Sequence, residues 1–443
     1  MCSISNFPYF EVQFNKEGKV HDPSEAQKLL DFLNQEAVTD LIAISHGWNT
    51  DMNDARQLYR SFFEPMRQAI DGGQVPGVGA RKFAILAVLW PSKKFAEQDL
   101  IAGGAADLES SMADAIEEQL TILEELLAKP EAAPVFDQLK ALIPQLEDSP
   151  SARQQFADLV RSVLTQGAAD EEDASTDFFA LDGEQVMERL SQPILPQPEV
   201  SGEGEGGAAE IGDFTPQPEG GAAGFLNFGG FAAAAGNLLN FATYYEMKQR
   251  AGNIGRDGLN PLLQQIRTQH PGLKLHLIGH SFGGRLVTAA AMGTGGLPPL
   301  KIETISLLQA AFSHYGFADN FEGNKDGFFR KVVENNGVSG PVLITHTKND
   351  EAVGLAYPIA SFLAQDNASA LGDENDRFGG LGRNGAQKTP EAIKGLSLLP
   401  VGGTYRFQPG KLHNLRADDF IKNHGDICKP QVAYAILTAV AMT

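Results

Sequence analysis

A serine lies between two glycines in the pattern Gly279-x-Ser281-x-Gly283, which is typical of a nucleophile held in a sharp turn. The apolar run Leu273–Ile278 before it predicts a strand, and Leu286–Met292 after it predicts a helix. Such a turn lifts the hydroxyl out of the sheet edge, and it needs glycines because strand and helix approach closely there. The alternative is a tight turn that carries an inert serine.

A serine hydroxyl is a weak nucleophile, so it needs a base, and that base needs a carboxylate to orient it. With this turn type the acid follows the serine in the chain and the histidine comes last. Asp350 follows the predicted strand Pro341–His346 and is the preferred acid. Glu351 in the same turn and Asp319 after the previous predicted strand are the alternatives.

The candidate base is His424. It lies between the predicted strand Lys411–Arg416 and the predicted closing helix Gln431–Met442, where the base of such a triad belongs. His413 competes for this role, but it falls within a predicted strand. His346 also ends a predicted strand and is expected to pack there.

Acyl transfer also needs two backbone amides to stabilise a developing oxyanion. The first candidate is the N–H of Phe282, directly after the serine. The second is the N–H of Trp48, with Gly47 as the neighbour that lets the backbone approach a substrate. Both residues follow the predicted strand Leu41–Ser45. Alternatively, this segment is a turn whose His46 and Trp48 simply pack.

Strands alternate with helices in two parts of the chain, which predicts an α/β fold with a mostly parallel sheet covered on both faces. One part includes the continuous apolar run Phe83–Trp90, which suits a strand buried on both faces. We expect residues 1–95 and 241–443 to form one core, and residues 96–240 to form an acidic insertion, a cap or lid.

The insertion has three parts. Ala105–Gln166 has helical spacing, whereas Gly167–Gly221 is acidic, rich in Pro and Gly and poor in regular pattern. Within it, Ser201–Gly207 (SGEGEGG) is expected to be flexible. Gly220–Tyr245 is small and apolar, which indicates a buried helix with a loop or, alternatively, an apolar lid.

The charge is concentrated in the insertion. The chain of 443 residues has a formal charge of −21. Residues 97–219 hold 28 Asp and Glu against 5 Lys and Arg, and the remainder, with 28 acidic and 30 basic residues, is nearly neutral. Without a basic face, nucleic acid is not an expected partner. The sequence predicts no transmembrane segment, no secretory signal and, with two cysteines, no disulfide framework, so we expect a cytoplasmic protein.

Four segments, Leu275–Arg285, Ile44–Trp48, Thr347–Val353 and Asn423–Ile427, resemble the α/β-hydrolase superfamily in its serine esterase and lipase-like branch. The resemblance implies an α/β-hydrolase fold. It also implies the following site: a triad of Ser281, Asp350 and His424, a nucleophile elbow with Gly279, His280 and Gly283, and oxyanion amides at Phe282 and Trp48 beside Gly47. The insertion comes earlier in the chain than the usual cap of this superfamily.

These observations predict a hydrolase that cleaves small-molecule carboxylic esters with an apolar acyl part, without a metal or other cofactor. A thioesterase or amidase with the same triad, and a lipase with an apolar lid, remain alternatives. A non-catalytic interaction protein on the same scaffold is an alternative of another class. The oligomeric state is left open.

Overall fold

The computed structural model describes residues 3–92, 108–164, 175–192, 230–294, 300–334, 337–350 and 377–443. The Gly- and Pro-rich stretch 193–229 and Glu351, on which some predictions fall, lie outside the described residues.

A central sheet runs through the described residues. Its nine strands, in chain order, are β1 Ser3–Ile4, β2 Phe7–Gln13, β3 Asp40–Ser45, β4 Phe83–Leu89, β5 Lys274–His280, β6 Thr304–Leu308, β7 Val342–His346, β8 Ala392–Ser397 and β9 Leu412–Arg416. Their order across the sheet is β1-β2-β4-β3-β5-β6-β7-β9-β8. Every neighbouring pair is parallel except β1 with β2. The predicted α/β class with a mostly parallel sheet is therefore confirmed.

Helices flank the sheet. They are α1 Pro23–Gln35, α2 Met52–Asp71, α3 Leu108–Leu127, α4 Ala133–Leu142, α5 Pro150–Val163, α6 Ser175–Ala180, α7 Gly183–Leu190, α8 Phe231–Asn253, α9 Asn260–Gln269, α10 Phe282–Met292, α11 Arg330–Val333, α12 Leu381–Asn384 and α13 Pro430–Ala441. Every residue of β3 and of β4 is buried, because helices cover both faces of these central strands.

Two short helices, α6 and α7, form where the sequence indicates little regular pattern. The Asp182 side chain accepts a hydrogen bond from the Glu184 N–H at the start of α7. Val186, Met187 and Leu190 of α7 are fully buried. Capping and burial of one apolar stripe therefore stabilise a helix that composition alone conceals.

Helix α8 is apolar and buried along most of its length, as expected for the apolar segment that ends at Tyr245. It begins at Phe231 and passes without a break across residue 240, the expected end of the insertion. It continues into a π-helical turn, Ile254–Leu259, that leads to α9. In the part of the chain that the structure describes, no helix is both long enough and apolar enough to cross a bilayer.

The parallel register brings the carboxyl ends of β3, β5, β6, β7 and β9 to one edge of the sheet. The segments that leave these strands begin with His46, Ser281, Gln309, Thr347 and Ala417. This edge, which we call the carboxyl edge, is where an open parallel sheet binds its ligands.

Candidate active site

Ser281 forms the turn between β5 and α10 with backbone angles φ 55° and ψ −127°. Non-glycine residues seldom adopt a positive φ, and such strain is found at functional sites. Three hydrogen bonds hold the turn: the Ser281 N–H donates to the Leu308 carbonyl at 3.1 Å, and the Ser281 carbonyl accepts from the N–H groups of Gly284 (2.9 Å) and Ala311 (3.0 Å). The serine is therefore fixed in a conformation that its own side chain disfavours.

The two glycines of the pattern are required by close backbone contacts. A Cβ atom at Gly279 would lie 2.5 Å from the Gly284 Cα. A Cβ at Gly283 would collide with the carbonyl oxygens of Ser45 and His46 at the end of β3. Close approach of the backbone therefore explains why the pattern has glycines on both sides of the serine.

The segment after β3 lies directly against the serine. A Cβ at Gly47 would lie 2.6 Å from the Ser281 Cβ and 3.1 Å from its Oγ. The Trp48 ring packs edge-on against the Phe282 ring, with centroids 6.0 Å apart. Within the described residues, no protein acceptor occupies the N–H of Trp48 or of Phe282. Two unoccupied amides therefore belong to residues that contact one another beside the hydroxyl.

His46 supports this segment from the core. Its ring stacks on Trp90 with centroids 5.5 Å apart, and the Trp90 indole N–H donates to the His46 carbonyl at 3.1 Å. The His46 N–H donates to the Tyr59 hydroxyl at 2.9 Å. Burial lowers the pKa of His46 to about 4, so the ring is neutral near pH 7. His46 therefore packs, as one interpretation of the segment expects.

His424 and Asp350 form a hydrogen-bonded pair. The His424 Nδ1 lies 2.9 and 3.0 Å from the two carboxylate oxygens of Asp350. The Asp350 side chain is completely buried, whereas 22% of the His424 side chain is exposed. An imidazole held at Nδ1 by a carboxylate presents its Nε2 as a proton acceptor. Within the described residues, the His424 Nε2 has no hydrogen-bond partner.

The loops that carry this pair are cross-linked through Asp418. One Asp418 carboxylate oxygen accepts hydrogen bonds from the Thr347 hydroxyl at 2.8 Å and the Lys348 N–H at 3.0 Å. The Asn349 amide donates to the carbonyls of Asp418 (3.1 Å) and Ile421 (2.8 Å). Sequence reasoning missed Asp418 and gave Asn349 no role, since a polar loop residue carries no periodic signal.

Ser281 and His424 come to the same edge without a hydrogen bond between them. Both lie in described residues, and the structure has no bond from the Ser281 Oγ to His424. The ring of His280, the residue before the serine, lies 4.7 Å from the His424 ring. Contacts between nucleophile and base are often longer before substrate binds. Two of the three predicted triad residues are thus in contact, and the third is next in sequence to His280, which contacts His424.

The alternative acid and bases lie elsewhere. Asp319 is exposed, and its N–H donates to the Lys388 carbonyl. His413 is fully buried in β9, where its Nε2 accepts a hydrogen bond from the Gln408 N–H at 3.0 Å. Burial lowers the pKa of His346 at the end of β7. Of the candidates in the described residues, Asp350 and His424 are the carboxylate and imidazole in contact at this edge.

Comparison of the chain with protein-family models, with curated proteins and with solved structures finds no match. The described ranges also contain no group of three or more His, Cys, Asp or Glu residues placed to hold a metal ion. The geometry of the carboxyl edge is therefore the basis for assigning a function.

Proposed function

We propose that the protein is a serine hydrolase of the α/β-hydrolase type that cleaves carboxylic esters through an acyl-enzyme. The observation that carries the proposal is the contact between the His424 Nδ1 and both oxygens of the buried Asp350 carboxylate. It occurs at the sheet edge where Ser281 sits in a strained turn. The parallel sheet supports the proposal, and so do the four sequence segments that resemble the α/β-hydrolase superfamily.

In the proposed reaction, the Ser281 Oγ attacks the ester carbonyl while the His424 Nε2 takes its proton. The Asp350 carboxylate stabilises the imidazolium that forms. The tetrahedral oxyanion accepts hydrogen bonds from the N–H groups of Phe282 and Trp48. His424 then protonates the leaving alcohol, and a water deprotonated by the same histidine hydrolyses the acyl-enzyme.

The substrate class follows from the surroundings of the serine. The Phe282 ring packs against the rings of Trp48 (centroids 6.0 Å apart) and of Tyr244 on α8 (5.2 Å). These aromatic side chains favour a small-molecule ester with an apolar acyl part over a charged one. The acidic insertion disfavours anionic lipid surfaces and nucleic acid, so an esterase that acts on dissolved substrate is preferred over an interfacial lipase.

The decisive experiment combines fluorophosphonate labelling and peptide mapping with a panel of p-nitrophenyl esters from acetate to palmitate. We expect the label on Ser281 and turnover that is fastest on the shorter chains. Preference for long chains would shift the assignment to a lipase, and preference for thioesters or amides to those classes. No label and no turnover would overturn the proposal and favour a non-catalytic scaffold.

A further inference from the structure

The main-chain carbonyl oxygen of His424 is the meeting point of two side chains from neighbouring strand ends. The His280 Nε2 lies 2.9 Å from this oxygen, and the Gln309 Nε2 lies 3.4 Å from it. His280 ends β5 and Gln309 directly follows β6. We call these two side chains the carbonyl clamp.

Gln309 is itself held in place. It is completely buried, and its Oε1 accepts a hydrogen bond from the Thr345 hydroxyl at 2.6 Å. Its N–H donates to the Thr345 carbonyl at 3.3 Å. Its φ is 39°, which a non-glycine residue seldom adopts. Since Oε1 is the acceptor for Thr345, the amide nitrogen must face His424, and the orientation of the side chain is fixed.

His280 can act only as a neutral donor. A carbonyl oxygen accepts, so the Nε2 carries the proton and the Nδ1 does not. Burial, together with the nearby His424, lowers the pKa of His280 to about 3. A neutral ring does not repel the positive charge that His424 gains when it accepts a proton, although the two rings are only 4.7 Å apart.

The segment that carries His424 needs such support. Its neighbours Asn423 and Gly425 are both exposed. A Cβ at Gly425 would find only the Asn423 side chain within 4 Å, at 3.9 Å. Asp350 holds the imidazole at Nδ1, and the turn has its own hydrogen bonds, from the Asp426 N–H to the Asn423 carbonyl and from the Ile427 N–H to the Gly425 carbonyl, but none of these bonds fixes the His424 carbonyl. A second attachment, at the carbonyl, fixes the main chain of His424 as well as its imidazole.

We infer that His280 and Gln309 are positioning residues, which hold the His424 carbonyl so that the imidazole Nε2 can reach the Ser281 hydroxyl. This inference rests on the proposed function. It assigns a role to the residue between Gly279 and Ser281 that goes beyond filling space in the turn. Loss of the clamp is expected to lower kcat with little change in KM, because proton transfer depends on the position of the base and ester binding does not.

The test compares His280→Phe, which keeps an aromatic ring but has no donor, with His280→Gln, which keeps an N–H. The matched control is His413→Phe, at another buried histidine whose ring nitrogens bond the main chain of Gln408 and Val342, away from His424. Steady-state kinetics on p-nitrophenyl acetate, thermal unfolding and the rate of fluorophosphonate labelling are measured for each. For His280→Phe we expect kcat to fall roughly 10- to 100-fold, the scale of a misplaced catalytic group. We expect partial recovery in His280→Gln and an unchanged kcat in His413→Phe.

A His280→Phe variant with wild-type kcat would overturn the clamp. The clamp would also be overturned if His280→Phe and His413→Phe lost stability to the same extent and lost kcat to the same extent. If His280→Phe does not fold, Gln309→Leu and Thr345→Val test the other half of the clamp by the same kcat and KM measurements. A wild-type chain without label on Ser281 would overturn the proposed function itself. A labelled wild type with an unaffected His280→Phe variant would overturn only the clamp.

Discussion

One aspartate–histidine pair lies where the parallel strands begin, and another lies where they end. At the amino end, the His276 Nε2 lies 3.0 Å from the Asp40 carboxylate, and the His276 Nδ1 lies 2.8 Å from the Thr304 hydroxyl. At the carboxyl edge, His424 bonds Asp350 through the other ring nitrogen, Nδ1, and its Nε2 has no partner in the described residues. The His276 side chain is 1% exposed and that of His424 is 22% exposed. Identical residue types thus form a fully bonded, buried pair in one place and a partly exposed pair with a proposed catalytic role in the other.

The amino-end pair is also neutralised by a cation. Arg81 donates to the same Asp40 oxygen at 2.9 Å, and Thr39 donates its hydroxyl to the other oxygen at 2.6 Å. Every polar atom of the pair therefore has a partner, which is what a buried charge requires. A histidine is thus a candidate base only when one ring nitrogen stays available at an accessible edge.

Replacement of the proposed nucleophile should give the largest effect on turnover. Ser281→Ala should lower ester turnover roughly 10⁴-fold or more, because the variant lacks the proposed attacking hydroxyl. The thermal unfolding midpoint should stay close to that of the wild type. Hydrolysis that persists in the purified variant would rule out the triad.

Replacing each of the two histidines in turn separates a proposed catalytic role from a structural one. His424→Ala should also remove turnover, by roughly 10⁴-fold, with a small effect on stability. His276→Ala should leave kcat unchanged and lower the free energy of unfolding by about 1–3 kcal/mol, since it removes the hydrogen-bond partner of the buried Thr304 hydroxyl and one of the three groups that bond the Asp40 carboxylate. Kinetics and chemical denaturation of both variants check this. If His413→Ala loses turnover instead of His424→Ala, the base is misassigned.

The Tyr59 hydroxyl, which supports His46, should contribute a smaller effect, on stability alone. Tyr59→Phe removes the hydrogen bond to the Val88 carbonyl, 2.7 Å long, and the acceptor for the His46 N–H. We expect a loss of about 1–3 kcal/mol in unfolding free energy, because two buried backbone groups are left unpaired. Equilibrium denaturation measures it, and a variant as stable as the wild type would contradict the role given to Tyr59.

The smallest expected effect is a pH dependence from the amino end. Burial alone would raise the pKa of Asp40, but hydrogen bonds from His276 and Thr39 and the nearby Arg81 outweigh it and hold the pKa below its usual 3.8. A depressed pKa contributes stability above the unfolded-state pKa, and this contribution is lost as the pH falls through the lower, folded value. Asp40→Asn should therefore flatten the loss of stability below about pH 4. Acid titrations of both proteins that run parallel would contradict this.

Much of the sheet could be predicted because its central strands are continuous apolar runs. The predicted Leu41–Ser45 and Phe83–Trp90 differ from β3 and β4 by one residue at one end. Strand β8, Ala392–Ser397, was missed because it lies at the sheet edge, contains a glycine and has no fully buried residue. Periodicity reveals burial, and an edge strand has little of it.

The candidate site was predictable to a different degree. Chain order and strand ends selected Asp350 and His424, which are in contact. Gln309 and Asp418 could not be selected, since their importance lies in what they bond across 115 and 70 or more residues of sequence separation. The assignments of Ser281, Phe282, Trp48 and Gly47 to chemical roles remain predictions until labelling and kinetics test them.

The positive φ of Ser281 sets its proposed catalytic role against stability at one position. Glycine adopts this conformation without the steric cost that an L side chain meets, which is on the order of 1 kcal/mol. Ser281→Gly should therefore give a chain that is more resistant to unfolding and chemically inert. The residue that best suits this backbone is therefore glycine, and serine here adds a hydroxyl at a steric cost that folding does not require.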